Sequence, residues 1–300
     1  MRSKVDYGVV VRRPLLMLVL VWLSVLPALA QAAVAAMVTD LQGRATVTVA
    51  GKSFEVSILA DIEAGAQVQL HGGATLVALY LDGGNEYVFK GPAQIVFRPA
   101  QPEVTSGAQP EKRSPALGIG VRVKPVGMAQ GALVMRSLPA SARIRLLTLN
   151  GTRVLETEPE FRWQELQPGL KYQLEIADDT GRSLVETQVD GASFRLPPGV
   201  QLTPGAFYTW EVSTRLPDGR KYSSLGEFSV AGAELRAQAA ALRAEASAPV
   251  SARVAYAAWL DQADLKDEAH KYWRALAAER PDDAQLRALA GPRPPFVAKR

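Results

Sequence analysis

The stretches "LQPGLKYQLEIADDTGR" (166–182) and "LTPGAFYTWEVSTRLPDGR" (202–220) carry one phrase twice. Each reads Leu-x-Pro-Gly-x-x-Tyr, then alternating apolar residues, then a turn containing Asp and Gly. In the second copy Tyr208, Trp210 and Val212 fall on one side of an extended chain, and Thr209, Glu211 and Ser213 on the other. In the first, Tyr172, Leu174 and Ile176 point one way and Gln173 and Glu175 the other. A period of two with one apolar side is what a half-buried antiparallel sheet needs. The phrases therefore read as two strands of one scaffold. The functional alternative is a repeated aromatic platform for carbohydrate. Tyr and Trp at alternating strand positions favour the core reading, in which Trp210 contributes about 1.5–3 kcal/mol or more by burial.

Outward from this pair, the chain divides by composition. Its 300 residues suffice for two or three modest domains, and 48% hydrophobic content argues against general disorder. Residues 1–13 hold Arg2, Lys4, Arg12 and Arg13 against Asp6, followed by "PLLMLVLVWLSVL" and then Pro27 and "ALAQAA". That is the layout of a secretory signal peptide over 1–30, with cleavage expected near Ala30 or Ala32. Removing four cations and one acid takes the net charge of +4 to about +1 (4 − 3), so charge argues for neither nucleic acid nor an anionic membrane as partner. An uncleaved inner-membrane anchor is the alternative, since no charge occurs between Arg13 and Asp40. The chain has no cysteine, which removes disulfides, thiolate metal sites, cysteine nucleophiles and a lipoprotein anchor. Together these features point to a periplasmic protein of a bacterial envelope.

Residues 34–98 are cut into short β-branched and aromatic runs by Gly and Asp, predicting strands at 45–50, 54–58, 66–71, 75–81, 86–90 and 93–97 with turns at 71–73 and 82–85. Pro99, Pro102, Pro110 and Pro115 among polar residues predict a linker over 99–118. Further strands are expected in "IGVRVKPV", "GALVMRS" and "RIRLLTLNG" between 119 and 150, ahead of the turn signal Asn150-Gly151. From 232 to 290 the period becomes helical: an Ala-rich helix over 233–246, then a pair in which Val254, Ala257, Ala258 and Leu260 share one face and Ala269, Trp273 and Leu276 another, stopped by Pro281. Residues 291–300 read as a disordered tail.

Three resemblances attach to these residues. "GRATVTVAGKSFEVSILADIEAGAQVQLHGGATLVALYLDGGNEYVFKGPAQIVF" resembles the FecR-type periplasmic domain, with the step "ILADIEAGAQV" carrying Ala60 where Gly is usual, and a closing Gly-Pro-Ala-x-Ile at 91–95. That family relays signals across the inner membrane, a role needing a cytoplasmic segment; only 13 residues precede the apolar run here. "LTPGAFYTWEV", with "PEFRWQEL" (159–166) upstream, is similar to fibronectin type III-like domains, implying a sandwich across 119–230 and a tyrosine corner at Tyr208. The helical pair resembles one tetratricopeptide unit, with Ala257, Ala269 and Pro281 at the expected spacing and Arg253 where Trp is common. A lone pair of this kind must bury its apolar face elsewhere: on the 233–246 helix, on the sandwich or on a partner.

The expected fold class is thus mainly β with a C-terminal α-helical segment: a small FecR-like β domain plus a fibronectin type III-like sandwich. No reactive centre emerges. His71 is placed in a turn and His270 on an exposed helix face, in different regions. Asp178-Asp179 suits a hairpin turn, Asp282-Asp283 a helix cap, and Asp82 and Glu86 flank a turn. No catalytic, cofactor-binding or metal-ligating residue is assigned, and no cofactor is expected. The expectation is a non-enzymatic binding or scaffolding protein, with a protein partner through the C-terminal helices and an envelope glycan through the FecR-like domain. A FecR-like signalling accessory and an enzyme of unrecognised type are the alternatives.

Overall fold

A computed structural model describes residues 33–49, 51–113 and 143–292, and the chain is mainly β with helices at its C-terminal end. The expected leader, residues 114–118 of the expected linker, the strands expected across 119–142 and most of the expected tail lie outside the described residues.

The first unit is a sandwich of two five-stranded sheets. One has the order β10-β7-β6-β1-β4, built from Val34–Gln42 (β1), Asp61–Glu63 (β4), Thr75–Tyr80 (β6), Glu86–Lys90 (β7) and Glu111–Arg113 (β10). The other runs β3-β2-β5-β8-β9, from Ala45–Val49 (β2), Lys52–Glu55 (β3), Gln67–Leu70 (β5), Ala93–Phe97 (β8) and Pro102–Ser106 (β9). All ladders are antiparallel. The space between the sheets is filled by Val38, Leu76, Tyr80, Phe89, Ile95 and Phe97 among others. Tyr80 stacks on Phe97 with ring centroids 6.0 Å apart and meets Tyr87 edge-on at 5.2 Å. At the corner before β8, Gly91 is obligatory: a Cβ there would sit 1.9 Å from the His71 carbonyl oxygen.

The two sheets differ in a way that governs the rest of the molecule. Strand β5 alternates exposed and buried residues, the pattern of a sheet wet on one side. In contrast, β1 is buried at five consecutive positions and β6 at five of its six. A sheet buried on both faces has no alternation, and its outer face must be covered. Residues 99–113, expected as linker, are instead part of this unit: β9 pairs with β8 and β10 with β7. Proline at the start of an edge strand removes no needed donor, so Pro102 is compatible with that pairing.

The second unit is the sandwich anticipated from the repeated phrase. Its main sheet has the order β11-β17-β16-β13-β14, with Thr152–Val154 (β11), Lys171–Asp178 (β13), Ser183–Asp190 (β14), Phe207–Arg215 (β16) and Lys221–Val230 (β17). A smaller sheet pairs Glu160–Arg162 (β12) with Ser193–Arg195 (β15), and Leu146 bridges to Trp163 beside it. The two copies of the phrase are direct neighbours: Leu174 faces Val212, Ile176 faces Trp210 and Asp178 faces Tyr208. Tyr172, Trp210 and Tyr208 are all buried, packed with Phe161, Trp163 and Phe228.

Each copy closes on its own upstream backbone. The Tyr208 hydroxyl accepts from the Thr203 amide at 2.8 Å, and the Tyr172 hydroxyl accepts from the Leu166 amide at 2.9 Å. The tyrosine corner expected at Tyr208 therefore occurs twice. Each Pro-Gly turn is thus tied down by the Tyr that follows it. The Trp210 indole crosses the sheet over Gly226, its partner on β17, and donates to the Leu149 carbonyl at 2.8 Å. A Cβ at Gly226 would lie 2.3 Å from the indole nitrogen. Tyr172→Phe should cost about 0.5–1.5 kcal/mol by losing one hydrogen bond. Gly226→Ala should cost about 1–3 kcal/mol by forcing Trp210 aside. Urea unfolding followed by circular dichroism measures both, and an unchanged midpoint in Gly226→Ala would contradict the packing described.

Candidate functional site

Four helices follow β17: Ala233–Leu242 (α1), Val250–Gln262 (α2), Lys266–Glu279 (α3) and Ala284–Ala290 (α4). The buried residues of α3 are Ala269, Trp273 and Leu276, as the spacing predicts. Helix α2 goes further: besides Val254, Ala257, Ala258 and Leu260, it buries Ala255, Tyr256 and Trp259, so nearly its whole circumference is covered. A helix buried all round is a core helix. Its cover comes from two directions. Ala239 on α1 and Trp273 and Leu276 on α3 pack on one side; Met37, Ile58, Leu59 and Leu79 of the first unit complete the same cluster. Met37 and Leu79 are cross-strand partners on β1 and β6, on the face of that sheet turned away from its own sandwich. The helical pair thus finds its apolar partner within the chain.

Polar groups fix this seam. Arg280, just past α3, forms a two-pronged ion pair with Asp40 at the end of β1; its second prong, Nη2 to Oδ2, is 3.2 Å long. Both side chains are four-fifths or more buried, so screening is weak. Arg253, at the position where the resembling repeat carries Trp, is buried and pairs in the same forked way with Glu279, Nη2 to Oε2 at 2.6 Å. That hydrogen bond holds the Glu279 carboxyl below the usual range and raises the already high guanidinium value. Tyr256 donates to the Ala239 carbonyl at 3.0 Å, tying α2 to α1, and burial followed by the neighbouring Tyr272 pushes its hydroxyl up to about 12. Trp273 donates to Asp261 at 2.8 Å.

Glu86 is the anomalous member. Expected beside a turn, it starts β7 and is 4% exposed. Ser251, in the first turn of α2, donates to its Oε2 at 3.4 Å, and Oε1 is buried with no hydrogen-bond partner. Burial raises its pKa, and the Ser251 hydrogen bond and the Arg113 charge only partly offset that.

The opposite end of the helical unit meets the second sandwich. The Arg153 amide donates to the Asp264 carbonyl at 2.7 Å, and Lys266 donates to the Gly151 carbonyl at 2.9 Å. The Leu149 amide donates to Asp267 Oδ2 at 2.8 Å. The α2–α3 turn thereby caps the free edge of β11. The described residues consequently form one compact unit.

The remaining chemical candidates are dispersed. His71 lies exposed in the turn between β5 and β6, and His270 sits on α3, half-buried rather than exposed. Asp178 accepts from the Thr180 and Arg182 amides, closing the β13–β14 turn, and these bonds, the Thr180 hydroxyl foremost, lower its pKa. Asp283 caps α4 by accepting from the Leu286 amide at 2.9 Å. Among the described residues, no three His, Asp or Glu side chains converge in a way that would hold a metal ion. No described helix is long and apolar enough to cross a membrane.

No protein-family model matches this chain, and no curated protein does. Among solved structures, CopC from Methylosinus trichosporium OB3b is 18% identical with a TM-score of 0.24, covering 30% of this chain and 96% of its own. Dimeric latent PorU from Porphyromonas gingivalis is 19% identical with a TM-score of 0.23, covering 63% and 16%. A tetra-tandem repeat from the extending region of a large adhesion protein is 16% identical with a TM-score of 0.18, covering 66% and 42%. Overlaps this loose carry no argument about function.

Two outcomes follow from the seam. Glu86 has a raised pKa in the folded state, so the stability it contributes is present below the unfolded carboxylate value of about 4.3 and is lost as pH rises through the folded value. Glu86→Gln should therefore unfold at a higher temperature than the parent chain at pH 7, with the gap narrowing towards pH 4. Asp40→Ala leaves Arg280 without its partner at a mostly buried position and should cost about 1–3 kcal/mol. Thermal and urea unfolding across pH read both.

Proposed function

We propose that this chain is an exported, non-enzymatic binding and scaffolding module of the bacterial envelope. The observation that carries the reading is the seam: the helical unit covers one face of the first β unit, caps an edge of the second, and leaves both as platforms in a fixed relation. Trp163, Trp210, Tyr80 and Tyr172, the largest of the fully buried side chains, lie in the two sandwiches. The surfaces open to a partner are the outer face of the β3-β2-β5-β8-β9 sheet, where Phe54 is 56% exposed, and the outer face of the second sandwich. The FecR-type and fibronectin type III-like resemblances belong to this reading. Neighbouring antiparallel hairpins β13–β14 and β16–β17 support the second of them.

Capture from envelope extract with the purified chain, alongside sedimentation with isolated peptidoglycan, tests the reading. Stable recovery of a defined envelope protein or of glycan is expected. Mass spectrometry of the N-terminus from native membranes and periplasm separates the alternative: an intact leader in the inner membrane would favour a FecR-like signalling accessory. Failure to retain any envelope component, with turnover of a small-molecule substrate instead, would overturn the binding role.

A further inference from the structure

The geometry points to the edge of β14 as a docking site for an extended polypeptide strand in which basic and apolar residues alternate. The inference deepens the binding role proposed above by naming the surface and the chemistry of the partner.

Strand β14 spans eight residues, "SLVETQVD", and stands at the end of its sheet. Among the described residues it pairs with β13 alone. Its other edge presents a row of amides and carbonyls with no ladder partner, and an edge of that kind is a template for an added strand. Proteins blunt such edges with proline, lysine, inward charges or short strands. Ser183–Asp190 has no proline, no lysine and no inward charge. The remaining sheet ends are treated differently. β4, β10, β12 and β15 are three residues each, β3 is four and begins with Lys52, β9 opens with Pro102, and β11 is capped by the α2–α3 turn.

The two faces of β14 specify what a new neighbour needs. Towards the core, Val185, Thr187 and Val189 oppose Ile176, Leu174 and Tyr172. Those three partners are fully buried, whereas Val185, Thr187 and Val189 are only half-buried. Among the described residues the covering sheet has two strands, β12 and β15, against five in the sheet it covers. An added strand with apolar residues on this side would finish the burial. On the outer face, Glu186 lies opposite Glu175, and Glu175 opposite Glu211, making one row of carboxylates across three adjacent strands. All three are exposed. The row ends on Leu225, which is 59% exposed and opposite Glu211. Like charges directly opposite one another destabilise a sheet. Adjacent strands are about 4.8 Å apart, so a lysine or arginine set beside Glu186 would relieve the repulsion and extend the row. Lys171 reaches Asp190 at 4.0 Å, at the far end of β14, and among the described residues no ion pair reaches the row itself.

The test uses the purified chain and a fluorescent eight-residue peptide of alternating lysine and valine, with an alternating glutamate–valine peptide as comparison. Binding is read by anisotropy, and its location by amide hydrogen exchange. The lysine peptide should bind, weaken with salt, and protect amides of 183–190 before any others. Glu186→Lys, an exposed substitution that should leave the fold intact by circular dichroism, should weaken binding by about tenfold. Equal affinity for the two peptides, unchanged affinity in Glu186→Lys, or protection elsewhere would overturn the inference. A chain that doubles in mass without peptide, and reverts to monomer in Thr187→Pro, would give this edge to a second copy and overturn it too. Retention of envelope partners by the Glu186→Lys chain would remove this edge and leave the broader binding role standing.

Discussion

The molecule depends on α2 lying against the outer face of β1 and β6. Without that contact a five-stranded sheet would expose Met37, Leu79 and their neighbours to water, and α2 would expose Val254, Leu260 and Trp259. Each surface is the other's solvent shield. Burying apolar surface is worth roughly 25 cal/mol per Å², so a seam of this many large side chains outweighs any single ion pair around it. The polar groups do another task. Apolar packing has little directionality, whereas the forked Arg280–Asp40 pair and the Arg253–Glu279 pair each accept one orientation. The first fixes the helices on β1, and the second fixes α2 on α3.

From that seam the organisation of the rest follows. The α2–α3 turn extends past the first sandwich and supplies carbonyl and carboxylate acceptors to the backbone at Leu149 and Arg153. It ends the ladder of the second sandwich on the β11 side, leaving β14 as the open side among the described residues. The second sandwich is held by its own means: twin hydroxyl-to-backbone closures at Tyr172 and Tyr208, and an indole lying across a glycine. In a chain with no cysteine, these closures fix turns without any covalent cross-link.

Much of this was legible in the residues. The repeated phrase announced two strands, and they are neighbours with the expected faces buried. The helical pair announced its inner residues through Ala269, Trp273 and Leu276. What escaped has a common cause. Strand β1, "VAAMVTDLQ", is covered on both faces, so it shows no alternation, and its small residues run on from the Ala-rich stretch before it. Prolines at 99, 102 and 110 suggested a linker because composition is blind to edges, where proline is tolerated. Arg253 looked like a departure from a repeat; its role needs Glu279, which approaches only when α2 and α3 pack. Glu86 read as a turn residue because nothing local reveals that a helix start will bury it. Gly226 and the Glu186–Glu175–Glu211 row likewise exist only through strand register.

Native-state hydrogen exchange across a series of sub-denaturing guanidinium concentrations tests the central claim most directly. If α2 and the β1–β6 pair shield one another, their slowest amides will merge into a single opening event with a common free energy and a common denaturant dependence. If the α2 amides open well below those of β1 and β6, with a small dependence of their own, then the helices are an appendage and the seam does not organise the fold.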